Sequence, residues 1–210
     1  MAACLLLLSA CSSDRSGEWD IVYNMISQSF GGEGPGVTYQ QAAAVPFASI
    51  GIRVGNSTEG MLVLGTTNRD EQIWSAASHI VLLTRGGRIL RTAGLEYNRS
   101  DMRIVRGDIS TPGTAGVTET VWEADFADLH LNSVPIVCRA TPRGAESIDN
   151  FGTAVPTVHV DEECRSEKLD WSFVNSYWIA PQTGLTWRSV QYISPKLDPL
   201  KIRLLRPPSE

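Results

Sequence analysis

The sequence predicts a mainly β fold, an antiparallel meander curled into a barrel or sandwich, with one amphipathic helix at its N-terminal side. Three observations lead there. Short segments of alternating apolar and polar residues recur from Phe47 to the end, punctuated by Gly, Pro, Asn and Asp. Two junctions read as hairpin turns: Gly86-Gly87, where both central residues tolerate positive φ, and Pro181-Gln182-Thr183-Gly184 between two aromatic-rich segments. A long helical period is confined to Ser16–Phe30, where Trp19, Val22, Tyr23, Ile26 and Phe30 fall on one face.

The first ten residues read as a cleaved leader. Leu5 to Leu8 form its apolar stretch, and Leu8-Ser9-Ala10-Cys11 resembles a bacterial lipobox, so cleavage leaves Cys11 as an acylated first residue. No Lys or Arg precedes Leu5, which predicts that the true start lies upstream. Residues 11–17 then form a polar tether. Ser12 after the cysteine predicts an outer-membrane destination, because an Asp in that place usually retains such lipoproteins elsewhere.

Residues 18–210 are read as one mainly β domain. A length of 210 residues with 42 % hydrophobic and 20 % charged residues is enough for one core and shows no compositional disorder. Helix Ser16–Phe30 ends at "GGEGPG", a linker rather than a phosphate cradle, since it follows a helix and carries no lysine. A short helix is predicted at Tyr39–Ala44. The strand segments then come in order as "FASIGIRV", "GMLVLGT", "QIWSA", "HIVLLTR", "RILRTA", "MRIVRG", "TETVWEADF", "PIVCRA" and "PTVHVDEEC". The hairpin "SFVNSYWIAPQTGLTWRSVQYIS" supplies two more, and Ile202–Leu205 closes the set.

Several function classes drop away. A net charge of −5 without clustered Lys and Arg does not suit nucleic acid. The four cysteines, Cys4, Cys11, Cys138 and Cys164, have no metal-ligand spacing, so neither metal nor cofactor is expected. Given export, Cys138 and Cys164 are expected to form a structural disulfide. His79, His130 and His159 are scattered and accompany no nucleophile motif, so no catalytic residue is assigned and the protein is read as a non-enzyme. Glu123, Asp125 and Asp128 are read as surface charge, because Trp122, Ala124 and Phe126 alternate with the first two.

The aromatic hairpin holds the candidate contact residues. With Ala180 facing Leu185, a regular ladder places Trp178 opposite Trp187 and Tyr177 opposite Arg188. The tryptophan pair is either core or, with Tyr177 and Arg188, a glycan or partner contact.

Three blocks, "PFASIGIRVG" from Pro46, Met61–Leu95 and "NSYWIAPQTGLTWRSVQYI" from Asn175, together with the lipobox, resemble the group 4 capsule polysaccharide lipoproteins, the YjbF/GfcB-like family of Gram-negative bacteria. Members commonly carry Asp before the Pro-x-Thr-Gly turn; Ala180 stands there in this chain and gives up that side chain's hydrogen bond but not the hairpin. The resemblance implies a mostly β lipoprotein with no established enzymatic activity, associated with operons for exopolysaccharide or capsule production and export. Expected partners are therefore the membrane, through the anchor, polysaccharide export proteins and the polysaccharide itself. The expected place is the outer membrane, facing the periplasm. The alternative is a carrier of lipids or lipoproteins in a half-open β-barrel, which requires a deep apolar cavity. A glycan-modifying enzyme is the third and weakest reading.

Overall fold

A computed structural model describes residues 36–107 and 113–208. The leader, Cys11, the tether, the Ser16–Phe30 helix and the "GGEGPG" linker up to Pro35 lie outside the described residues. Helix α1 (Tyr39–Ala44) precedes twelve strands. They are β1 (Ser49–Val54), β2 (Gly60–Asn68), β3 (Glu71–Ser75), β4 (Val81–Arg85), β5 (Arg88–Ala93), β6 (Asp101–Arg106), β7 (Thr118–Phe126), β8 (Leu131–Asn150), β9 (Thr153–Ser166), β10 (Trp171–Ile179), β11 (Thr186–Gln191) and β12 (Leu200–Arg206).

The strands form one antiparallel sheet in the order β5-β4-β3-β2-β1-β12-β11-β10-β9-β8-β7-β6, curled into a nearly closed barrel. Every neighbour but one is consecutive in sequence, the exception being β1 beside β12. Short hairpins and local pairing explain this topology, since consecutive strands tend to be neighbours. The seam falls between β5 and β6. Its narrow end is held by Thr92 N–H donating to the Arg99 carbonyl at 2.9 Å and by an Arg91–Asp101 ion pair at 2.7 Å.

Alternation sorts side chains by face. In β7, Val121, Glu123 and Asp125 are only partly covered while Trp122, Ala124 and Phe126 are buried. Glu123 pairs with Arg103 and Asp125 accepts the Ser133 N–H at 2.7 Å, so both serve the outer surface. Apolar residues fill the inside in two clusters, one around Ile52, Leu62, Leu82 and Ile89, the other around Trp122, Phe126, Ile136 and Phe173. Charged residues such as Arg103, Glu123, Glu163 and Arg165 stand outward. A membrane-spanning barrel has the opposite arrangement, apolar outside and polar within.

Between the two apolar clusters lies a buried polar bridge. Arg88 of β5 donates two bonds to Glu162 of β9, at 2.8 and 2.7 Å. Asn175 adds a bond to the same carboxylate at 3.0 Å, and Tyr177 links it to Gln191. Gln191 in turn holds the Ile89 N–H at 2.9 Å and the Gly87 carbonyl at 2.8 Å. The bridge spans the barrel from β5 to β9, β10 and β11.

Outside the barrel, α1 covers β2 and β12 through Val37, Ala42, Val45, Met61 and Leu205. Its capping box pairs Thr38 with Gln41. The β8–β9 ladder runs on past the barrel, from Thr141 to Thr157, without a third strand. Phe151 at the tip of this arm meets the Tyr39 ring at 5.7 Å and the Arg203 guanidinium at 4.8 Å. The arm thus folds back to α1 and β12.

Candidate functional site

The β10–β11 hairpin departs from the regular ladder. Ala180 N–H does bond the Leu185 carbonyl at 2.9 Å, and Ile179 lies opposite Thr186. The next pair is Trp178 with Arg188, which makes Trp187 the extra residue of a β-bulge. Neither expected pair forms: Trp178 does not face Trp187, and Tyr177 faces Ser189 instead of Arg188. The bulge lets Thr186 Oγ1 reach the Gly86 carbonyl at 3.0 Å while Trp187 packs against the inner cluster. Gly87 is tied to the same contact: its φ is +81°, and a Cβ there would lie 2.4 Å from Thr186.

The four contact candidates therefore have different surroundings. Tyr177 is fully buried, its hydroxyl in the polar bridge, and burial pushes its ionisation upward. Trp187 is half-buried. Trp178 points outward, but His159 of β9 stacks on its indole with ring centroids 4.5 Å apart and planes 4° apart. From the opposite neighbour, β11, the Arg188 guanidinium lies 5.8 Å from its centroid. Stacking partners already occupy this indole, so it is not an open platform for a sugar ring. Of the other histidines, His79 and His130 sit at positive φ in turns.

The same outward face offers something sequence reading missed. On the outward face of strands β8, β9 and β10, side chains line an open groove of about 1000 Å³. Its lining follows from the register: Val137 lies opposite Arg165, Arg165 opposite Ser172, Arg139 opposite Glu163 and Glu163 opposite Val174. These are alternate, outward positions. Val137 and Val174 are 47 % and 43 % exposed, a large share for aliphatic residues on a sheet. Glu167 and Lys168, in the 3-10 turn after β9, form one rim. The alternation visible in "PIVCRA" and "DEEC" was the available signal; what it lacked was the register that sets Arg139, Arg165, Val137 and Val174 side by side.

The floor of the groove is rigid. Cys138 and Cys164 are opposite each other in the β8–β9 ladder and joined by a disulfide, with Cα atoms 4.1 Å apart. The Trp122 Nε1–H donates to Cys138 Sγ at 3.1 Å. Glu162 stands beside the two sulfurs, yet thiols already joined to each other supply no thiolate to a metal. Electrostatically the groove is mixed. Glu163 is held by Arg143 at 3.2 Å, whereas neither Arg139 nor Arg165 has an acidic partner within 4.0 Å among the described residues. The arrangement can hold a ligand through guanidinium groups and aliphatic contacts.

The barrel interior gives a contrasting result. A cavity at the mouth, beside Trp74, Thr84, Gly87 and Arg188, measures about 130 Å³. Ligand pockets ordinarily begin at about 300 Å³. The cleft along the β5–β6 seam is larger, about 370 Å³, with Leu83, Leu90, Met102 and Ile104 among four arginine and glutamate side chains.

Comparison with known proteins places the chain. The lipoprotein GfcB of Escherichia coli K12, described as uncharacterized, is 24 % identical over 174 residues, which is 81 % of each chain. The lipoprotein YjbF of the same organism, likewise uncharacterized, is 22 % identical over 206 residues, covering 96 % of this chain and 93 % of the relative. The crystal structure of the hypothetical lipoprotein YmcC from Escherichia coli K12 has the same fold, with a TM-score of 0.69 at 22 % identity over 83 % of this chain and 91 % of that one. The family model described as "Group 4 capsule polysaccharide lipoprotein gfcB, YjbF" matches residues 22–205. The chain belongs to the group 4 capsule polysaccharide lipoprotein family.

Proposed function

We propose that the protein is an outer-membrane lipoprotein, anchored through acylated Cys11 and facing the periplasm, that assists capsule or exopolysaccharide export by binding rather than by catalysis. The observation that carries this reading is the open groove over β8–β10, with exposed valines and guanidiniums that have no acidic partner among the described residues, above a disulfide-pinned floor. Such a surface suits an extended ligand, either the glycan or a segment of an export protein. Family membership supports the process. The charged outer wall suits a barrel held beside a membrane by a tether, with the acyl chains supplying the anchor. Trp178 and Arg188 lie on the same outward face, beyond Ser176 along β10, and would extend the contact by their edges. The packed interior weighs against a carrier that holds acyl chains inside the barrel.

Two measurements test the reading. With Cys11→Ala, the protein is expected to leave the outer-membrane fraction and appear free in the periplasm; continued fractionation with the membrane removes the anchor claim. Photo-crosslinking side chains at Val137 and Val174 in cells should capture an export protein or polysaccharide. Capture of lipoprotein-sorting factors alone would transfer the weight to the carrier reading.

A further inference from the structure

We infer that the β8–β10 groove recognises an anionic glycan, a chain bearing carboxylate-substituted sugars, with Arg139 and Arg165 as its carboxylate-binding residues. This rests on the binding role proposed above and names the ligand chemistry. Arg139 and Arg165 are diagonal neighbours on the outer face, since Arg139 pairs with Glu163 and Val137 with Arg165. Diagonal positions on adjacent strands are about 7–8 Å apart, within reach of long side chains converging on one ligand. Five arginines elsewhere on the outer wall are committed to acids: Arg85 to Asp70 and Glu71, Arg91 to Asp101, Arg103 to Glu123, Arg106 to Glu119, Arg143 to Asp161 and Glu163. Arg139 and Arg165 have no such partner among the described residues.

The surrounding groups reinforce the choice. Lys168 adds a third cation, its ammonium bonded to the Asn132 carbonyl at 3.1 Å. Of the two carboxylates lining the groove, Glu163 is already held by Arg143, which leaves Glu167 at the rim without a cationic partner among the described residues. A chain of net charge −5 thus carries a local excess of positive charge in this groove. Guanidinium groups bind carboxylates through paired, directional N–H bonds. Between them, Val137, Val174 and Pro135 present aliphatic surface, which suits the C–H faces of sugar rings.

The test uses the full acylated chain in detergent micelles, with oligogalacturonate and a neutral maltooligosaccharide of equal length as probes. Wild type is expected to bind the acidic oligosaccharide more tightly, with affinity falling as salt rises. The Arg139→Gln/Arg165→Gln variant is expected to lose at least ~10-fold in that affinity. An Arg69→Gln/Lys196→Gln variant, with the same charge change at exposed sites away from the groove, should bind as wild type. Circular dichroism melts of both variants exclude a folding defect. Equal binding of the two probes, unchanged affinity in the groove variant, or tighter binding to phosphatidylglycerol vesicles than to oligogalacturonate would each overturn the inference. Crosslinks from Val137 or Val174 to an export protein, with no oligosaccharide bound, overturn this inference and leave the export reading standing; absence of both overturns the two together.

Discussion

Arg88 and Glu162 are each almost completely enclosed, with side chains 3 % and 1 % exposed, and their two bonds join strands on opposite sides of the barrel. Burial alone would raise the Glu162 pKa, but the Arg88 charge and the bonds from Arg88, Asn175 and Tyr177 outweigh it and hold the carboxyl below its ordinary value of 4.5. A folded-state value below the unfolded one stabilises the fold above about pH 4.5, and that contribution is lost as pH falls through the folded value. Glu162→Gln leaves a guanidinium buried without its counter-charge, which should cost about 3 to 5 kcal/mol. Thermal unfolding of the two proteins across pH checks both parts: the variant should melt lower at neutral pH and lack the steepest part of the wild-type acid decline. Arg99 is a second enclosed cation, bonded to the carbonyls of Ile89 and Tyr192 with its guanidinium 4.8 Å from the Trp122 ring centre. Burial lowers its pKa to about 10. None of these roles was legible in the sequence: Glu162 shares its strand parity with buried Val160 and Cys164 and Arg88 with buried Leu90 and Thr92, while Arg99 lies in the loop before β6, and alternation does not say which charges meet inside. Their burial depends on which strands the barrel brings face to face.

Among the elements, β8 and β9 do most to shape the groove, and their pairing is pinned by Cys138–Cys164. The bond closes a loop of sequence separation 26, for which constraint of the unfolded chain gives roughly 3 kcal/mol. Replacing both cysteines by alanine is therefore expected to lower stability by about that amount, read from urea unfolding at matched pH, and to weaken groove ligands because the floor loosens. Cys11 must be left in place so that anchoring is unchanged. The strand segments themselves were readable because each interior strand buries one face: all twelve lie where alternation and turn residues put them, and α1 occupies Tyr39–Ala44. Two features of these elements were not. The arm from Thr141 to Thr157 has few buried side chains, so its sequence keeps no period-two apolar signal although its backbone continues the ladder. The bulge at Trp187 inserts one residue, and a rule that counts outward from the turn places every later pair one step wrong.

At the scale of the whole molecule, a meander whose first and last strands pair has to leave its discontinuity somewhere else, and here it falls between β5 and β6. Those two strands are edges, with backbone groups that no ladder bond holds on one side. Their narrow end is fastened by the Thr92–Arg99 bond and the Arg91–Asp101 pair, whose side chains are 57 % and 34 % exposed. An ion pair that exposed is worth at most about 1 kcal/mol, so it positions the edges more than it stabilises the fold. In the opposite arc, the barrel portion of the β8–β9 ladder, β8 up to Ala140 and β9 from Val158, is cross-linked and paired on both sides. Stability should therefore be graded around the barrel, with opening at the seam well below the free energy of global unfolding. Hydrogen exchange under native conditions measures this directly: amides of β5 and β6 facing the seam should exchange through local opening, and those of the barrel portion of β8 to β10, outside the Thr141–Thr157 arm, only through global unfolding. Arg91→Ala should speed exchange at Thr92 and Arg99 while leaving the β8–β10 amides unchanged. Equal protection of all twelve strands would mean that the barrel closes fully in solution, and the distinction between a yielding seam and a rigid binding face would fall with it.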